Sequence, residues 1–213
     1  HTHGHSDHRA GDVLFSGERG VEIVPIDLPG VQGFFDLENW PQETAEFDLG
    51  GRIIDIVPTP GHHATDLSFY DRRTTALFTG DFLLPGRLYI QDTETYQASA
   101  IRLRNFVESR PVAHILGGHI ELDLDGNLYT RGADYHPDER PLALDKNALM
   151  TLPTAVEDFN GLYTTRPTYV LTNPERMLIA MGSGALIALL LVLWVLYRTV
   201  RWLRARSTGT KID

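Results

Sequence analysis

Three histidines and an aspartate fall within six residues, as His3-x-His5-x-Asp7-His8. Imidazole and carboxylate are the side chains that hold zinc, iron or manganese. None of the four is a good core residue, and packed so densely they would be poorly solvated without a ligand. An affinity-tag remnant or a chance His-rich tract is the plain alternative. Tags are uninterrupted runs, however, and this one carries a Gly and an Asp at set places. The hexapeptide therefore reads as part of a metal site, and a metal site needs further ligands from elsewhere in the chain.

Three later segments supply them. The apolar run Ile53-Ile54-Asp55-Ile56-Val57 predicts a strand. It leads into Thr59-Pro60-Gly61-His62-His63, where the Pro-Gly pair forces a turn and leaves His62 on a loop. Ala76-Leu77-Phe78-Thr79 predicts a second strand and stops at Gly80-Asp81. Val112-Ala113-His114-Ile115-Leu116 predicts a third and stops at Gly117-Gly118-His119. His63 is expected to point away from the ligands, His114 to be a satisfied core or half-buried strand residue, and His136 a loop residue.

In this order the motifs resemble those of the metallo-β-lactamase-fold hydrolase superfamily. The resemblance spans His3 to His119 and includes every ligand position of the two-metal members. It implies an α/β fold, the αββα sandwich. It implies that His3, His5 and His62 hold one metal, that Asp7, His8 and His119 hold the other, and that Asp81 bridges them. In the superfamily several strands precede the hexapeptide, so the resemblance also implies a fragment lacking those first strands. The cofactor expected is two divalent ions, zinc first, with iron or manganese as alternatives.

Two cations a few ångströms apart lower the pKa of a shared water, toward about 7 in zinc sites. The resulting bridging hydroxide is a nucleophile at neutral pH. Asp7 is the expected catalytic residue, orienting that hydroxide and passing a proton to the leaving group. The segment Asp81-Phe82-Leu83-Leu84-Pro85-Gly86-Arg87-Leu88-Tyr89 is similar to the one after the bridging Asp in the glyoxalase-II-like branch. Arg87 and Tyr89 are the expected substrate-binding residues. His5 stands where the redox-active di-iron branch prefers Glu, and Leu84 where acyl-homoserine lactonases carry Tyr. With no cysteine in the chain, the lactamase subclass that uses a Cys ligand is disfavoured. The reading is a hydrolase of acyl bonds: ester, thioester, lactone or lactam. The alternatives are a phosphodiesterase or mononuclear-iron sulfur dioxygenase, and a non-catalytic, membrane-tethered metal-binding module.

The remaining organisation must position this site. Within 213 residues we expect a catalytic domain over 1–160, a linker over 161–176, a transmembrane helix over 177–197 and a basic tail over 198–213. Met177–Tyr197 is 21 residues without a charge, and at ~1.5 Å per residue it spans a hydrocarbon core of about 30 Å. Trp194, Tyr197 and Trp202 sit at its far end, as interfacial aromatics do. Five basic residues follow it and two stand in the fifteen residues before it, which places the tail in the cytoplasm and the catalytic domain outside. The tail is net +4, so residues 1–176 carry −13 within the chain total of −9. That disfavours nucleic acid and leaves a small-molecule substrate and membrane lipid as partners. Gly184-x-x-x-Ala188 would let helices pack closely, but the sequence does not set an oligomeric state.

A short helix is expected from Gly11, and a helix over Thr93–Ser109 with Tyr96, Ala100, Leu103 and Val107 inward. Another is expected from Leu144 to Phe159, interrupted or started by Pro153. Residues 27–44 read as irregular, with Phe34, Phe35 and Trp40 either covering the active site or forming a small satellite core.

Overall fold

The computed structural model describes residues 1–208, with side chains to position 204. Two compact units divide it, His1–Asn173 and the helix beginning at Pro174.

The first unit opens with two single turns, α1 (Ser6–Arg9) and α2 (Asp12–Phe15), and then α3 (Leu28–Phe35). Strands β1 (Ala45–Asp48), β2 (Ile53–Pro58), β3 (Leu67–Asp71), β4 (Ala76–Gly80) and β5 (Arg87–Tyr89) follow. Next come α4 (Thr93–Glu108), β6 (His114–Gly117), β7 (Ala143–Leu144), α5 (Lys146–Met150) and α6 (Leu152–Glu157). Strands β8 (Tyr163–Thr165) and β9 (Val170–Thr172) close the unit.

The fold is mixed α/β. A six-stranded sheet has the order β1-β2-β3-β4-β6-β7, antiparallel except for the parallel β4–β6 pair. Alternation along its strands separates two faces. Val57, Tyr70, Leu77 and Ile115 point into the main core with the inner faces of α4, α5 and α6. Ile54, Ile56, Leu67 and Phe69 point the other way, against α3. Leu88 and Leu171 carry the small sheet β5-β9-β8 into the main core. Fully burying each such Leu or Ile is worth about 1.5–3 kcal/mol relative to exposure.

Three expectations are corrected. Residues 27–44 are not wholly irregular, because 28–35 form α3. Asp27 caps it by accepting the Gly30 amide at 3.0 Å, and Pro29 sits in the first turn, where a missing N–H costs nothing. The helix packs Val31 and Phe35 into the second core cluster, with Phe34 and Trp40 against it, so these aromatics form a satellite core. Residues 161–173 are not a free linker. They carry β8 and β9, and β9 lies parallel to β5 with Val170 opposite Arg87. Pro167 stands in the turn between the strands and Pro174 at the start of the last helix. His114, expected to be in the core or half-buried, is instead exposed on β6.

The second unit is α7 (Pro174–Thr208). It is long and apolar enough to cross a membrane, with a window of mean hydropathy 2.5. Arg198 lies over Trp194 at 5.3 Å and Arg201 over Tyr197 at 5.8 Å. Among the basic residues of the expected tail, the Arg206 side chain and Lys211 lie outside the described residues.

Candidate metal centre

The site forms where three strand ends meet the hexapeptide. The carboxyl ends of the parallel pair β4 and β6 lie side by side, joined by the Gly118 amide donating to the Gly80 carbonyl at 2.8 Å. Asp81 follows β4 directly, and His119 follows β6 after Gly118. The turn after β2 brings His62 beside them. The hexapeptide is pinned to the same edge, because the Leu67 amide of β3 donates to the Thr2 carbonyl at 3.0 Å.

Helix α4 braces two of these loops from below. The Ser99 hydroxyl donates to the Pro60 carbonyl at 2.7 Å, and the Tyr96 hydroxyl donates to the Phe82 carbonyl. Gly61 has φ +144°, and a Cβ there would stand 2.6 Å from the Tyr96 Cα. Only glycine meets both demands. Gly118 is under a similar constraint from the site itself, since a Cβ would lie 2.7 Å from Asp81 Oδ1.

Two groups of donors result: His3, His5, His62 and Asp81, and Asp7, His8 and His119. Within each, the donor atoms lie within 4.8 Å of one another. In the first, His5 Nδ1 stands 2.9 Å from His3 Nε2 and 3.1 Å from His62 Nε2. Nitrogens sharing a tetrahedral zinc at ~2.0–2.1 Å would stand about 3.3 Å apart. In the second, His119 Nε2 is 3.5 Å from Asp7 Oδ2, and His8 Nε2 is 3.9 Å from the same oxygen. Asp81 stands between the groups. Its Oδ1 is 3.2 Å from His8 Nε2 and 3.5 Å from His119 Nε2, and its Oδ2 is 3.6 Å from His62 Nε2.

Burial differs across the pair. His3, His62 and Asp81 are buried, whereas the Asp7 side chain is 59% exposed and that of His119 42%. Burial lowers the His3 pKa to about 3, with the neighbouring His8 adding to the effect. Burial likewise lowers His62 to about 4, opposed by the Asp81 charge. Both rings are therefore neutral, the form that ligates a metal. His8 moves the other way, raised by its close approach to Asp81 against the effect of burial. Burial would raise Asp81, but the His8 contact and the surrounding imidazoles outweigh it and bring it below the ordinary carboxylate range.

The donor set fits divalent cations. Buried polar atoms without a hydrogen bond normally carry a penalty of about 1–3 kcal/mol each. His8 Nε2 and Asp81 Oδ1 are buried, face the site 3.2 Å apart and make no well-aligned hydrogen bond. Neutral imidazoles cannot satisfy one another around a common point, since each has a single N–H. A cation there would.

Asp66 was not anticipated. It is buried, its Oδ1 lies 3.1 Å from His3 Nδ1, and its Oδ2 accepts the His63 amide at 2.9 Å. It orients the His3 ring so that Nε2 faces the cluster, the role a carboxylate plays behind a metal-bound histidine. Burial drives its pKa well above the usual range, with the His63 amide opposing. The signal was its position four residues after His62, at the head of β3. His63 packs edge-on against His5 at 4.8 Å, and its Nδ1 pairs with the Thr65 hydroxyl at 2.9 Å. Asp66→Asn is expected to weaken metal binding by about tenfold or more, measured by competition with a chromophoric chelator. Unchanged affinity would remove Asp66 from the site.

An open cleft of about 780 Å³ lies over the donors, and Arg87, Tyr89, Glu121 and Arg131 help line it. The Arg87 guanidinium is already met, by Glu121 at 3.2 Å and by the Tyr129 carbonyl at 2.6 Å. The Tyr89 ring lies 6.3 Å from that of His62.

A family model described as the metallo-beta-lactamase superfamily matches residues 1–119, a span that contains all seven donors. The chain belongs to the metallo-beta-lactamase superfamily. Among curated members, a hydroxyacylglutathione hydrolase of Brucella anthropi is 31% identical over 96 residues, which is 41% of this chain and 35% of that protein. The acyl-coenzyme A thioesterase MBLAC2 of Gallus gallus is 28% identical over 98 residues, 44% of this chain and 35% of that protein. The matched stretch thus spans about a third of either relative. Among solved structures, a metallo-beta-lactamase from Pontibacter korlensis superposes with a TM-score of 0.48 at 16% identity, covering 74% of this chain and 67% of that one. ETHE1 from Myxococcus xanthus gives 0.37 at 20% identity, covering 78% and 69%.

Proposed function

We propose that this chain is a membrane-anchored hydrolase of acyl bonds that works with two divalent metal ions. One observation carries the reading: Asp81 directs one carboxylate oxygen toward His62 and the other toward His8 and His119. A carboxylate placed in this way suits two cations better than one. His3, His5 and His62 would hold the first, and Asp7, His8 and His119 the second. Bound there, such ions lower the pKa of water and polarise an acyl oxygen.

The protein's own residues do the rest. Asp66 fixes the His3 ring, and α4 fixes the His62 and Asp81 loops, so the donors are held before substrate arrives. Asp7, the most exposed carboxylate of the set, is placed to orient the attacking water and to carry a proton to the leaving group. The cleft is open enough for a small molecule and is walled by β5 and the segment 129–139. Thioesters come first among acyl bonds, because one similar protein is an acyl-coenzyme A thioesterase. Zinc suits a donor set rich in neutral imidazole.

The test is a hydrolysis panel on detergent-solubilised, metal-loaded protein, with a thioester, a lactone, a cephalosporin and a phosphodiester. Thioester or ester turnover is expected. Phosphodiester turnover alone would favour a phosphodiesterase, and silence with both metals bound would favour a metal-binding module. A single iron per chain would favour a dioxygenase. Anchoring by α7 predicts retention in the membrane after an alkaline carbonate wash, and the flanking charges predict that external protease reaches residues 1–173 but not the tail. Release by the wash would refute the anchor.

A further inference from the structure

Among the described residues, one cationic side chain lining the cleft has no ion-pair partner. Four charged residues line it beside the metal donors: Arg87, Glu121, Arg131 and Glu139. Arg87 is paired with Glu121, and Glu139 faces His136 Nδ1 at 3.0 Å. Arg131 has neither an ion pair nor a side-chain hydrogen bond among the described residues. Its guanidinium lies over the Tyr89 ring, 5.5 Å from the centroid. That ring is itself 6.3 Å from His62. Tyr89 thus forms a floor running from the donors to an exposed guanidinium.

In a unit carrying −13, an unpaired arginine inside a cleft is out of keeping with its surroundings. Stacking on an aromatic face holds the guanidinium plane while leaving its N–H groups free. Those groups match a carboxylate in two parallel hydrogen bonds. A single cation in an acidic unit suits a monoanion better than a dianionic phosphate.

We propose that Arg131, seated on Tyr89, binds a carboxylate on the part of the substrate remote from the bond being cut. The substrate class is therefore a carboxylate-bearing acyl compound. The proposal rests on the acyl-hydrolase reading for its substrate, but not for its binding site.

Matched pairs of thioesters test it. 4-Carboxyphenyl thioacetate is compared with its carboxamide, and the phenyl thioester of glutaric acid with its amide, so that the charge lies on either side of the bond. In the wild type, kcat/KM should favour the acid of at least one pair. In Arg131→Ala the acid-to-amide ratio should fall about tenfold, as loss of a charge-assisted hydrogen bond requires. Arg131→Lys should restore part of it, keeping the charge without the fork. A ratio unmoved by Arg131→Ala in both pairs overturns the proposal. A wild-type preference for the 4-phosphonophenyl thioacetate that Arg131→Ala abolishes, with the carboxylate ratio unmoved, overturns the assignment to a carboxylate. If no thioester is turned over, the acyl-hydrolase reading fails by itself. The site is then judged by calorimetric binding of glutaramate to the metal-loaded protein, where about tenfold weaker binding to Arg131→Ala supports it and equal binding overturns it.

Discussion

Asp7→Ala is expected to cut turnover about 10³-fold, within the range for removing a positioned acid–base group. The Asp7 side chain is 59% exposed and caps no long helix. Substitutions of that kind usually change stability by no more than about 0.5 kcal/mol. A loss of activity would therefore report on chemistry and not on folding. Asp7 Oδ2 lies 3.5 Å from His119 Nε2, so the second donor group loses its only member with a negative charge of its own, Asp81 aside. Metal content measured beside kcat separates two causes. If both ions remain and kcat falls, Asp7 acts on the water and the leaving group. If one ion is lost, Asp7 acts first as a ligand. Asp7→Asn keeps the size and removes the charge, and should lose nearly as much. Near-wild-type hydrolysis by either variant would refute the mechanism.

The clustering of the candidate donors was legible because each follows a strong local signal. His62, Asp81 and His119 stand just after apolar runs that end at Gly or Pro, and the structure brings their donor atoms to one edge of the sheet. The inner face of α4 was equally plain from its helical spacing. What escaped notice depends on contacts between distant segments. Helix α3 was hidden by Pro29, Gly30 and Gly33, which interrupt the apolar period, although Asp27 and Pro29 are good starting residues for a helix. Strands β8 and β9 are three residues each; β9 forms by pairing with β5, some eighty positions earlier, and β8 by pairing with β9. Asp66 looked like an ordinary turn residue until the fold set it behind His3. Arg131 had no motif at all. Its isolation is a property of the finished charge map, in which every other cleft charge has a partner.

Asp81→Asn should have an effect as large as that at Asp7, but by a different route. Asp81 is 8% exposed and, among the described residues, is the carboxylate placed between both donor groups. Its surroundings hold it ionised, since the His8 contact and nearby imidazoles outweigh burial. Asparagine keeps the shape and offers one neutral oxygen, so it cannot serve both groups equally. Metal per chain should fall from two to about one, with the first ion retained because His3 and His62 are buried, whereas the Asp7 and His119 side chains of the second group are exposed. Hydrolysis should fall about 10³-fold or more with the second ion. Chelation of the wild type should go further, removing both ions, abolishing turnover and lowering the melting temperature. Ligand linkage makes that shift large, because a metal at 1,000 times its Kd stabilises the folded state by about 4 kcal/mol. Zinc added back should restore both readouts. The two measurements together test the division of the site itself. Two ions in Asp81→Asn, with activity intact, would mean that the groups bind independently and that the carboxylate between them is not a bridge.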